Sequence, residues 1–157
     1  LMTQQPPPGS YRDDIDLGIR FGDGKWEDGR SLFLFDEEVF PVCSPAWLAA
    51  NPAPSSINDF LDTALIDSDS TLEGWMTWNR WCRELGDVRP KLTYSFRCSS
   101  YNDAIQAAIQ GHGIALGWSR LIAHRLNSGE LIRITPYSIK PKDTITWSFQ
   151  RAENRRL

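Results

Sequence analysis

The chain is poor in the residues that most often carry chemistry. Of its 157 residues only two are histidines and three are cysteines. Cys43, Cys82 and Cys98 form no Cys-x-x-Cys pair, and an odd count leaves one thiol over. Neither a disulfide framework nor a metal site is expected, and a reducing cytoplasm fits the thiols best. His112 sits in a Gly-His-Gly turn and His124 on an expected helix, with no nucleophile motif beside either. Gly-x-Ser-x-Gly, His-Glu-x-x-His and Gly-x-Gly-x-x-Gly are all absent. No catalytic constellation and no bound cofactor are therefore expected, and the chain does not read as an enzyme. No apolar run approaches the roughly 18 residues of a membrane span. Positive charge is not in excess either: the net charge is −3, so these residues offer no nucleic-acid surface. Residues 1–13 lack the basic and apolar regions of a signal peptide and read as a disordered leader with three consecutive prolines.

What is present is alternation of strands and helices. Ile15, Leu17, Ile19 and Phe21 alternate with polar residues and stop at Gly22-Asp23-Gly24, as a strand does. Leu32-Phe33-Leu34-Phe35 and Val39-Phe40-Pro41-Val42-Cys43 read as two more strands. Ser44-Pro45 opens a short helix, and Ser56 with Asp59 has capping-box spacing for another. Leu65-Ile66 reads as a brief strand. Trp75, Trp78, Cys82 and Leu85 then fall on one face of a helix that Gly86 closes. Leu92, Tyr94 and Phe96 alternate as a strand, and Ser119 is expected to cap a helix to about Leu126. Leu131, Ile134, Ile145, Trp147 and Phe149 supply the last two strands. The order from about residue 39 to 134 argues an α/β architecture with a largely parallel sheet.

The stretch from Ser99 to Leu116 is the most informative. Two hydroxyl residues precede an Ala/Ile helix, a Gly-x-Gly stop follows, and then an apolar strand. A helix start beside a strand offers backbone N–H groups and small hydroxyls, a combination that suits an anionic or polar small ligand. Ser100 with Asp103 also has capping-box spacing, so capping alone accounts for it equally well.

Five segments, in order, resemble the effector-binding domain of LysR-type transcriptional regulators. They are Asp14-Ile15-Asp16-Leu17-Gly18-Ile19-Arg20-Phe21-Gly22, Phe40-Pro41-Val42-Cys43-Ser44-Pro45, Leu65-Ile66-Asp67 with Trp75-Met76-Thr77-Trp78, Ala107-Ala108-Ile109-Gln110-Gly111-His112-Gly113-Ile114-Ala115-Leu116, and Gly129-Glu130-Leu131-Ile132-Arg133. The third is similar to the subgroup that includes glycine-cleavage activators. The resemblance implies a type-2 periplasmic-binding-protein-like α/β fold, with one lobe complete and the other partial. Residues 14–41 would be partial first lobe and crossover, 42–118 the second lobe, and 119–157 the return to the first. It implies a small-molecule effector bound between lobes, a homo-oligomer, and DNA binding only through an N-terminal domain of a longer parent. A solute-binding protein of a transporter, or a non-functional remnant of a regulator, are the alternatives.

The effector-binding candidates are Ser99, Ser100 and Tyr101 at the helix start, and Arg20 and Phe21 at the strand that leaves the first lobe. Asp69 after the Leu65-Ile66 strand and Trp118 after Leu116-Gly117 complete the set. Ligands of open α/β sheets sit beyond carboxyl ends of strands, which is where these residues fall. Trp118 could also bind a cation with its ring face. Each has a plainer role in capping, turns or packing, and packing is the expectation for Trp75, Trp78 and Trp81.

Overall fold

The computed structural model describes residues 17–22, 25, 30–52, 54–56, 59, 62–68, 75–86, 92–142 and 144–149, with side chains left out at 17–22, 30–31 and 144–149. The leader, Asp69, and most of the helix expected from Ser56 lie outside the described residues. The chain divides into two compact units, one of residues Leu1–Glu37 with Pro141–Leu157 and one of residues Glu38–Lys140.

The smaller unit is an antiparallel sheet. Strands β1 (Leu17–Gly22) and β2 (Arg30–Phe35) both pair with β8 (Thr144–Phe149), in the order β1-β8-β2. Ile19 lies opposite Trp147 and Leu32 lies opposite Trp147 from the other side.

The larger unit holds β3 (Val39–Cys43), α1 (Pro45–Ala50), β4 (Leu65–Ser68), α2 (Trp78–Glu84), β5 (Tyr94–Cys98), α3 (Tyr101–Ile109), β6 (Ala115–Trp118), α4 (Ala123–Asn127) and β7 (Ile132–Arg133). β4 and β5 are parallel, and a parallel bridge joins Leu65 to Ile114 just before β6. Helical crossovers make this possible: α2 lies between β4 and β5, and α3 between β5 and β6. The expected largely parallel sheet stops there. β3 runs antiparallel to both β6 and β7. Its residues are apolar in either direction, so periodicity carried no sign of its polarity.

α3 shows how sequence becomes packing. Ala104, Ile105, Ala107 and Ala108 are buried at helical spacing and join Phe40, Val42, Ile66, Ala115, Ile122 and Leu131 in one core. At its end the His112 amide donates to Ala107 O and the Gly111 amide to Ala108 O, both over 3.0 Å. This paired closure needs the left-handed backbone that Gly111 takes at φ +84°. Two helix starts differ from expectation. α2 begins at Trp78, because the Thr77 hydroxyl accepts from the Arg80 amide and leaves Trp75 and Met76 outside the helix. α4 begins at Ala123, and Ser119 instead donates its amide to Glu38 O over 2.9 Å.

Candidate functional site

The C-terminal ends of β4 and β6 and the N-terminal end of α3 converge inside the larger unit. Asp67 and Ser68 close β4, Trp118 closes β6, and Tyr101 opens α3. Trp75, Met76 and Thr77 close the space from the segment ahead of α2, and Trp78, Ile66, Ala104 and Leu116 form its floor. The cavity is small, with room for about one water molecule.

Aromatic rings dominate the wall. Trp75 stacks on Trp118 with ring centroids 4.2 Å apart and planes inclined by 24°. Tyr101 meets Trp75 edge-on at 5.3 Å. The Tyr101 hydroxyl accepts the Trp118 backbone amide over 2.9 Å, which fixes the first residue of α3 to the last of β6. Below them the Trp78 indole donates to Ile66 O over 2.9 Å and so fastens α2 to the strand that carries Asp67.

The electrostatics are negative. Among the described lining residues Asp67 is the only charged one. Its carboxylate reaches beyond the cavity. Tyr94 is pushed up to about 12, first by burial and then by Asp67. Burial, and after it Asp103 and Asp67, raise the Cys98 thiol. Arg97 stays over the Tyr94 ring at 5.1 Å, away from the lining.

The candidates named from sequence divide accordingly. Tyr101 and Trp118 come together on the cavity wall. Ser100 and Ser99 flank it without lining it. Ser100 Oγ accepts the Asp103 amide over 3.2 Å and donates to Asp103 Oδ2 over 2.7 Å, a closed cap. Arg20 and Phe21 lie on β1 of the smaller unit, with side chains outside the described set, and Asp69 is outside it altogether. Sequence reasoning missed Asp67, Ser68, Trp75 and Thr77. The signal was there for the first two: they end the Leu65-Ile66 strand, and strand ends were the criterion that selected Asp69. Trp75 was hidden by its helical spacing from Trp78. Among the described residues no group of three or more His, Cys, Asp or Glu could hold a metal, and no helix is long and apolar enough to cross a membrane.

Comparison with known proteins gives a consistent picture. The family model for the LysR substrate binding domain matches residues 3–154. The HTH-type transcriptional regulator DsdC of Escherichia coli K12 is 30% identical over 124 residues, which cover 77% of this chain and 40% of that protein. The glycine cleavage system transcriptional activator of the same organism is 29% identical over 120 residues, 76% of this chain and 38% of that protein. The chain thus spans about two fifths of the length of these curated relatives. Among solved structures, the effector domain of the transcriptional regulator AmpR of Pseudomonas aeruginosa superposes with a TM-score of 0.67 at 25% identity, over 88% of this chain and 64% of that one. The regulatory domain of AphB in Vibrio vulnificus shares the fold, with a TM-score of 0.70 at 21% identity, over 95% and 74% of the two chains.

Proposed function

This chain belongs to the LysR substrate-binding domain family and has its type-2 periplasmic-binding-protein-like α/β fold, and from that premise we propose that it senses a small organic effector at the Trp75–Tyr101–Trp118 cavity. The larger unit would be the second lobe of the sensing module, and the smaller unit would belong to the first. The chain acts by binding, not catalysis, in the cytoplasm, and reaches DNA only through a further segment of a longer parent.

The observation that carries this reading is the aromatic box at the strand ends, with a carboxylate and no basic side chain among its described lining residues. Such a wall favours a ligand that brings an apolar or flat face together with hydrogen-bond donors or positive charge. An ammonium ion gains from ring faces as well as from a carboxylate. An anion would face Asp67, and at the helix start the Asp103 carboxylate already lies beside the Ser100 cap. The cavity would open for a ligand by movement of the Trp75 ring.

One of these rings, Trp118, lies beside a chain crossing. Trp118 pairs with Val39, and Ser119 donates to Glu38 O, both where the chain enters the larger unit. A ligand that prefers one position of Trp118 would therefore bias this crossing, and a sensor can respond only through such a difference in affinity.

Tryptophan-fluorescence titration with tetramethylammonium and with propionate tests the ligand class. Saturable quenching by tetramethylammonium is expected, weakened on the order of tenfold in Asp67→Asn. Tighter binding of propionate, or indifference to Asp67→Asn, would contradict it.

A further inference from the structure

The smaller unit has an apolar strand at its edge. Among the described strands, β2 is one of the two outer strands of the order β1-β8-β2. From Leu32 to Phe35 it alternates leucine and phenylalanine with no polar residue. Leu32 is 59% exposed and its neighbour Phe33 56%. Successive strand residues face opposite sides of a sheet, so apolar surface is open on both. Soluble proteins guard edges of this kind with lysine, proline or a bulge. β2 has neither lysine nor proline. It has a bulge, at which Leu34 is passed over in the register with β8.

Charge says what covers this edge. Arg30 opens the strand and Asp36 follows it, so the run Arg30-Ser31-Leu32-Phe33-Leu34-Phe35-Asp36 is complementary to itself when two copies run antiparallel. We propose that β2 pairs antiparallel with β2 of a second copy of this chain, about a two-fold axis at Phe33. Phe33 then faces Phe33, Leu32 faces Leu34, and Arg30 faces Asp36 twice, once on each side of the axis. The pairing gives Leu34 the cross-strand neighbour that β8 does not, and joins two three-stranded sheets into one of six. A parallel pairing in register would set Arg30 against Arg30 and Asp36 against Asp36. Like charges directly opposite destabilise a strand pair and opposite charges stabilise it. The contact is isologous, so it closes at a dimer.

Sedimentation velocity of the intact chain tests this with Arg30→Asp and Asp36→Arg. Near-UV circular dichroism of the tryptophans confirms folding of each variant. The wild-type chain is expected to dimerise in low salt. In a self-complex of Arg30→Asp, acid faces acid on both sides of the axis; in one of Asp36→Arg, base faces base on both. Each single variant should therefore weaken its own dimer by about tenfold or more. In a complex of one variant with the other, two acidic strand ends meet two basic ones. Opposite charges then stand on both sides of the axis, and an equimolar mixture should associate again. Phe33→Lys should be monomeric. A wild-type monomer at high concentration would mean that another segment or partner covers β2, and would overturn the proposal. Single variants that dimerise as well as wild type, or a mixture that stays monomeric, would overturn it too.

Discussion

The indole N–H of Trp81 donates to the carbonyl of Val39 over 3.1 Å, across 42 residues of chain. The Ile139 amide donates to the same carbonyl over 2.9 Å, and the Val39 amide returns a bond to Ile139 O over 2.8 Å. Val39 and Ile139 lie just inside the two points where the chain passes between units. Trp81 thus anchors α2 at the place where both crossings meet. Trp78, one turn earlier, packs edge-on against Trp81 at 5.8 Å and lines the cavity.

Replacing Trp81 by phenylalanine keeps an aromatic ring and removes the donor. Val39 O keeps its bond from Ile139, but Trp81 is fully buried, so the lost donor and the space left by the smaller ring together should cost about 2 to 3 kcal/mol from denaturant unfolding. Amide exchange at Ile139 should quicken in Trp81→Phe while exchange in α3 stays as it is. Unchanged exchange at Ile139 would show that the indole does not hold the crossings.

Gly113→Ala should be far more harmful. Gly113 has φ +153°, and a Cβ there would run into the Ala64 carbonyl, which accepts the Ile114 amide. Strain and overlap together should cost more than about 3 kcal/mol, read as a lowered unfolding midpoint. Gly86→Ala meets nothing within 4 Å and carries only the strain of its φ of +91°, so it should cost less. Equal losses in the two variants would contradict the close approach at Ala64.

The crossing also carries a pH-dependent contribution. The Ser138 hydroxyl, and behind it the Arg133 guanidinium at 3.2 Å, hold the Glu38 carboxyl below its ordinary 4.5. A carboxyl lowered in the folded state stabilises fully above its unfolded value and loses that contribution as pH falls through the folded one. Wild type should therefore exceed Glu38→Gln in stability at about pH 6 to 7, with the gap closing below about pH 4. Denaturant melts of both proteins across this range measure it, and a gap that widens towards low pH would reverse the sign.

Much of this was legible beforehand, for local reasons. The Ser100–Asp103 spacing announced a cap, and the glycines at 111 and 113 announced a stop, because both are set by neighbouring backbone. Tyr101 and Trp118 were legible as helix-start and strand-end residues. What escaped depends on distant partners. Nothing near Val39 says that β3 runs against β6, since strand direction is decided by which segment returns beside it. Nothing near Trp75 says that it stays outside the helix to stack on Trp118, far along the chain. The regular spacing of Trp75 and Trp78 set the start of α2 too early, since the Thr77 hydroxyl caps the helix after Trp75.

The most direct measurement is fluorine NMR of the chain labelled with 5-fluorotryptophan, its resonances assigned by single Trp→Phe variants, during titration with tetramethylammonium and with propionate. If the cavity is the sensing site, Trp75 and Trp118 shift together and saturably with tetramethylammonium, while Trp47 on α1, which does not line the cavity, stays in place. Resonances of Trp75 and Trp118 that remain still with both probes, or that move only as far as Trp47 does, would contradict it.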